Sequence, residues 1–197
     1  MTPIGTPLQN DILKDYTPSG ASFQTGISEA VFQRDPHNGL LISAQIAERD
    51  YVRVAALKAV FEAAGDHAGL PPAVLAAIAS RESHCGLLLD KNGWGDNGNA
   101  YGICQIDKRS HAILPDSPDS LVYLNLVAAI LSANLHTIKD RHPNWTAAIQ
   151  LQGAIAAYNV GCGNIQTEDG IDLGTTHNDY SNDVWARAQY YAGLCGV

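Results

Sequence analysis

The sequence predicts an α+β domain, mainly helical, with a small antiparallel sheet beside a functional cleft. Three observations carry this reading. Apolar residues recur at helical spacing along most of the 197 residues. Residues 92–99 gather Asn, Gly and Asp around Trp94, and Gly and Asn accept the positive φ of tight turns. The run at 101–107 then has the composition of a strand or hairpin.

Taken in chain order, residues 1–26 are rich in Thr, Pro, Ser and Gly and read as an extended arm, leaving 27–197 as one folded domain. A chain of this length can bury a sizeable core, and no repeat or low-complexity tract appears. Ala44, Ala47, Tyr51, Val54 and Phe61 mark one amphipathic helix. Pro71 and Pro72 then supply a start, because proline is tolerated in a helix's first turn, where its missing N–H has no partner to lose. From Val74 to Cys85 no breaker occurs, and Gly86 is placed to follow the C-cap. Leu121, Leu124, Ala128, Leu131, Leu135 and Ile138 predict a central helix, apolar on most sides. Asn125, Ser132, Asn134 and His136 interrupt it, which argues against a membrane span. Leu151, Ile155 and Tyr158 form the stripe of a further helix, stopped by Gly161 and Gly163. Its start falls at Asn144 or Thr146 as N-cap, although Asn144, Trp145 and Thr146 also spell a glycosylation sequon. Ser181 can cap a last helix running through Tyr191.

The chemistry gathers in residues 81–111. Leu75, Ile78 and Ala79 share a helical stripe whose next position is Glu82. Desolvation on that stripe disfavours the charged carboxyl, and so does the negative end of the helix dipole. Both favour a protonated acid near neutrality, while Arg81 and His84 can pull the other way. A simpler reading makes Glu82 an ordinary solvated glutamate near a helix end. In an extended chain Tyr101, Ile103, Gln105 and Asp107 fall on one face, placing a carboxylate beside an aromatic ring and an amide, which are sugar-gripping groups. Asp96 alone reads as a turn-former, and Asp107 alone as an N-cap or surface charge. Together, one carboxyl that keeps its proton and others that stay ionised are what breaking a glycosidic bond requires. The chain is therefore read as an enzyme acting on a polysaccharide.

The segments SRESH, NGWGDNGNAYG and QIDKRSH resemble those of goose-type lysozymes, in the same order. IAAYNVGCGN (155–164) and DLGTTHNDYSNDVWARAQYYAG (172–193) resemble that family's C-terminal portion. The resemblance implies a lysozyme-like α+β domain that cleaves the β-1,4 link after N-acetylmuramic acid in bacterial peptidoglycan, with inversion. It implies Glu82 as general acid, with Asp96 and Asp107 positioning and activating water. An inverting pair stands roughly 6.5–9.5 Å apart to admit that water. The resemblance places Tyr158 and Asn159 at the cleft, where a packed aromatic and a helix cap fit the periodicity equally well. Tyr101, Gln105, His111 and Tyr180 are further candidates for the sugar-binding lining, with packing as the alternative for each. No metal or organic cofactor is required, since proton transfer and charge stabilisation suffice. Peptidoglycan is the expected partner, with protein lysozyme inhibitors as a second class and a monomer as the default state.

A net charge of −8 and the lack of a basic stripe argue against nucleic-acid binding. An anionic wall then needs a local positive field, for which Arg81, Lys91, Lys108 and Arg109 are available. Cys85, Cys104, Cys162 and Cys195 allow three pairings; they can be staples or small buried hydrophobes. With no CxxC or HExxH and scattered histidines, no metal site is expected. The N-terminus lacks the pattern of a secretory signal, yet a peptidoglycan substrate favours secretion or contact with engulfed bacteria. Two rival readings are a lytic transglycosylase, which needs no water-holding aspartate, and a non-catalytic peptidoglycan-binding module. The joint presence of Glu82, Asp96 and Asp107 favours hydrolysis over both.

Overall fold

The computed structural model describes residues 10–31, 35, 37–113 and 116–194. It is mostly helical, with one three-stranded antiparallel sheet among the described residues, the α+β class expected. The helices are α1 (Phe23–Ser28), α2 (Gly39–Ala56), α3 (Lys58–Ala68), α4 (Pro72–Ser83), α5 (Leu121–Arg141), α6 (Ala147–Val160) and α7 (Tyr180–Leu194).

The helix α4 is the axis of the molecule. Every residue from Pro72 to Ser80 is buried, so the anticipated stripe is a whole buried cylinder, packed against α3 and α7. Ala73, Ala76, Ala77 and Ala79 keep that cylinder thin enough for close helix approach. Arg81 and Glu82 mark where it emerges. The left-handed ending comes earlier than the Gly86 expected from sequence: His84 has φ 51° and Cys85 φ 52°. The Cys85 N–H reaches back to the Ala79 carbonyl at 2.9 Å, closing the helix end.

α5 packs between α3 and α6 with Leu124, Val127, Ala128, Leu131 and Ile138 buried. It is long and apolar enough to cross a membrane by length and composition, but that apolar face is covered by neighbouring helices. Thr146, not Asn144, caps α6, its side chain accepting from the Ile149 N–H at 3.3 Å. Gly161, at φ 78°, ends the helix.

Three local expectations change. The single helix expected across residues 44–61 is two, α2 and α3, separated at Leu57. Unbroken, α2 and α3 would form a rod of about 45 Å; the break turns α3 back over α4 and α5. The buried face of α2 is Ile42, Ile46, Ala47, Asp50 and Val54, whereas Tyr51 is exposed. The described part of the arm is docked rather than extended. Asn10–Asp15 forms a 3-10 turn that buries Ile12 and Leu13, and α1 follows. The Leu13 carbonyl there accepts from Trp185 Nε1 at 3.1 Å and Gln189 Nε2 at 2.7 Å, satisfying two donors of α7. Residues 1–9 lie outside the described residues. Ser181 lies inside α7 rather than at its cap. Asp172 serves instead, its two oxygens accepting the N–H groups of Ser181 at 2.7 Å and Asn182 at 3.0 Å.

The sheet runs β1 (Trp94–Gly95), β2 (Ala100–Tyr101), β3 (Ile106–Asp107), with Gly95 opposite Ala100 and Ala100 opposite Asp107. The 101–107 run is thus a tight hairpin, not one strand. Gly102 (φ 76°) and Gln105 (φ 50°) reverse the chain, so Ile103 and Gln105 leave the face they would share in an extended chain. Tyr123 of α5 anchors this reversal: its hydroxyl donates to the Tyr101 carbonyl at 2.9 Å and accepts the Cys104 N–H at 3.1 Å. A Cβ on Gly102 would fall 2.2 Å from Tyr123 Cζ, on a φ that L-residues avoid. Gly102→Ala is expected to cost about 2–4 kcal/mol by strain and overpacking; denaturant unfolding reads this directly.

Cys85 and Cys104 are free, buried thiols and Cys162 a free, half-buried one. Cys85 and Cys104 sit as small buried hydrophobes, whereas the Cys162 thiol donates to Asn134 Oδ1 at 3.4 Å; Cys195 lies outside the described residues.

Candidate active site

Glu82 sits in the last turn of α4, enclosed on most sides yet still reaching the surface. Tyr180, at the start of α7, donates its hydroxyl proton to Glu82 Oε1. Burial pushes the Glu82 carboxyl up to about 7, against the opposing pull of the Tyr180 hydrogen bond, Arg81 and Arg187. Cys104, Tyr123, Tyr158 and Tyr180 all lie close enough to feel a charge there, and each is itself held neutral by burial. The two flanking cations that threatened this arrangement are occupied elsewhere. Arg81 pairs with Asp179 at 2.9 Å and Asp183 at 2.5 Å. His84 sits between Asp50 at 2.8 Å and Glu29 at 3.0 Å.

Asp107 ends β3 with its side chain about one-third exposed (34%). Its oxygens accept from Arg109 Nη2 at 2.6 Å, Nε at 2.9 Å and the Arg109 backbone N–H at 2.8 Å. These bonds hold its carboxyl down at about 2, so it is ionised throughout the neutral range. Asp96 follows β1, is exposed, and starts the β1–β2 turn at φ 44°. The register aligns Gly95, two strand spacings or about 10 Å from Asp107, so the adjacent Asp96 leaves the sheet at the end that carries Asp107.

Two hydrogen bonds fix the hairpin against the helices, one from α4, which carries Glu82, and one from α6. Ser83 Oγ donates to the Ile103 carbonyl at 2.7 Å, and the Tyr158 hydroxyl to the Cys104 carbonyl at 2.9 Å. Beside them opens a groove of about 410 Å³ lined by Gln105, Asp107, His111, Tyr158 and Asn159, with Ile130 and Asn134 of α5. Five of the residues expected from sequence therefore share one cavity. Tyr158 joins the two halves of the site, lining the groove while its ring feels Glu82. Asn159 Oδ1 accepts the Thr176 N–H at 3.0 Å, and the Thr176 carbonyl accepts from Arg81 Nη2 at 3.3 Å. The Gln105 amide lies over Gly95, where a Cβ would fall 2.1 Å from its Oε1.

Two lining candidates stand elsewhere. Tyr101 is buried between Trp94 at 5.0 Å and Tyr123 at 5.9 Å, its hydroxyl donating to the Asp116 carbonyl, so it packs the sheet. Tyr180 is 1% exposed and holds Glu82 rather than the groove wall. The expected positive field is also reduced, because Arg81 and Arg109 are spent on ion pairs; Lys108, whose Nζ donates to the neutral Gly98 carbonyl at 2.7 Å, keeps its charge. Sequence reasoning missed Asn134, Thr176, Asp179 and Asp183. Asp179, Asp183 and Arg187 do stand at i, i+4 spacing, a sign that they share a helix face.

A family model described as Lysozyme g matches residues 11–194. Lysozyme G of Dromaius novaehollandiae is 44% identical over 173 residues, covering 88% of this chain and 82% of the relative. Lysozyme g of Struthio camelus is 45% identical over 153 residues, covering 78% and 74%. Lysozyme g of Takifugu rubripes is 38% identical over 190 residues, covering 93% and 97%. With a helix-borne glutamate, a small sheet carrying two aspartates and a groove between sheet and helices, the chain belongs to the goose-type lysozyme family of glycoside hydrolases.

Proposed function

We propose that the chain is a muramidase, hydrolysing the β-1,4 bond between N-acetylmuramic acid and N-acetylglucosamine in peptidoglycan with inversion. One observation supports this reading: the last turn of α4 carries Glu82, raised by burial to about 7, and its next residue, Ser83, bonds the hairpin that leads to Asp107, held down at about 2 on the groove. Glu82 gives its proton to the leaving oxygen. Tyr180 already donates to Oε1, so the acidic proton belongs on Oε2, and the same hydrogen bond stabilises the anion left behind. Asp96 and Asp107 orient and activate the water. The Asp96 side chain accepts no hydrogen bond from the described residues, which leaves its oxygens open to that water; Arg109 fixes the Asp107 carboxylate. Gln105, His111, Tyr158 and Asn159 bind sugar along the groove. Antibacterial action by a secreted protein suits that substrate, with a monomer as the default state.

Mass spectrometry of the sugars released from purified peptidoglycan tests the reaction. The expected products carry free reducing ends and the mass of one added water, with the α-anomer seen first by NMR. Products one water lighter, with 1,6-anhydro ends, would make it a transglycosylase and remove the roles given to Asp96 and Asp107.

A further inference from the structure

Glu82 is covalently next to an arginine, and a positive charge beside a carboxyl favours its ionised form. The Arg81 side chain is only 7% exposed and turns to the carboxylates at the start of α7. There Nη2 bonds Asp179 Oδ1 at 2.9 Å, and Nη1 bonds Asp183 Oδ2 at 2.5 Å and Thr25 Oγ1 at 3.2 Å. Asp183 is gripped from its other side by Arg187 (Nη2 at 2.6 Å, Nε at 3.0 Å) and by Ser43 Oγ at 2.7 Å. Asp179 also accepts from Thr25 Oγ1 at 2.6 Å and from the Ser22 N–H. Two arginines and two aspartates thus form a neutral, water-excluded quartet against the last turn of α4.

The groups that bear on Glu82 come from four helices and the hairpin: Arg81 from α4, Tyr180 and Arg187 from α7, Tyr123 from α5, Tyr158 from α6 and Cys104 from the hairpin. The tyrosines and the thiol are neutral at physiological pH, so the charges that can ionise Glu82 are the two arginines of the quartet. Asp179 also immediately precedes Tyr180, whose ring lies 5.6 Å from Arg81 Cζ and whose hydroxyl meets Glu82.

We propose that Asp179 and Asp183 are positioning residues for Glu82: they neutralise Arg81 and Arg187 and hold the Arg81 guanidinium off the acid, so that Glu82 keeps its proton. The proposal rests on the reading of Glu82 as general acid. It assigns to the start of α7 a function beyond packing, namely keeping an acid usable next to an arginine. It also explains why both of Arg81's carboxylates are supplied by one helix turn, together with the tyrosine that orients the acid.

The test is the pH dependence of kcat/KM on the intact chain. Asp179→Asn preserves shape and leaves one arginine charge uncompensated, so the alkaline limb should move down by about one pH unit. Arg81→Gln should move it up, and the double variant should return it close to the wild-type position. A merely structural role lowers activity equally at all pH values. Limbs that coincide with wild type in folded variants, or a uniform loss, would overturn the proposal. Should Asp179→Asn fail to fold, Arg81→Gln decides by the same criterion, an upward shift against an unmoved limb. Glu82→Gln, measured in parallel, separates the two claims. Surviving lysis removes the acid assignment itself, whereas abolished lysis with unmoved limbs removes only the role of Asp179 and Asp183.

Discussion

Glu82→Gln is expected to lower kcat by about 10²–10⁴-fold, the contribution of a placed general acid, while leaving affinity for muropeptide fragments nearly unchanged. Glutamine keeps the oxygen that Tyr180 holds and removes the proton that the leaving group needs. The same substitution should stabilise the fold above neutrality. The Glu82 carboxyl is raised from 4.5 to about 7, so the native state holds its proton longer than the unfolded chain does. Stability from this group is therefore fully present below about 4.5, falls as pH rises from there to about 7, and stays reduced above. At pH 8 the variant should exceed wild type by on the order of 1–3 kcal/mol, and at pH 4 the two should nearly coincide. Urea unfolding at both pH values, alongside turnover, checks both halves. A stabilised but still active variant would show that this buried carboxyl is not the acid.

Asp183→Ala is expected to be the most damaging single change to stability, at about 3–5 kcal/mol, because it strands the buried Arg187 and half-frees Arg81. Its arginine partners hold Asp183 well below the ordinary value of 3.8, at about 2. A depressed carboxylate contributes stability that is present above the unfolded value and is lost as pH falls through the folded one. Wild-type stability should therefore drop between about pH 4 and pH 2, and Asp183→Ala should flatten part of that drop. Denaturation series from pH 2 to 5 on both proteins would reveal it. An Asp183→Ala protein with wild-type stability would mean that the quartet is not held as described.

What was legible in the sequence was local. Pro71 and Pro72 announced the start of α4, Thr146 was one of two offered caps for α6, and helical phase alone placed Glu82 on the apolar side of its helix. The groove residues Gln105, Asp107, His111, Tyr158 and Asn159 were likewise named before any geometry, through the family's motifs. What escaped depended on partners distant in the chain. Whether Arg81 would ionise Glu82 was open because its two carboxylates lie 98 and 102 residues further on. The docking of Asn10–Asp15 depends on Trp185 and Gln189, more than 170 residues away. Gln105 at positive φ carries no glycine signal, so the sequence leaves strand and hairpin both open for residues 101–107; cleft lining and packing stay equally open for Tyr101 because nothing in its neighbourhood announces Tyr123 beneath it.

The most direct measurement is the titration of the Glu82 carboxyl itself, by ¹³C NMR of glutamate-labelled protein, with Glu82→Gln assigning the resonance. The account predicts a midpoint near 7, coinciding with the alkaline limb of kcat/KM. A midpoint near the ordinary 4.5, in an enzyme active at neutral pH, would contradict it.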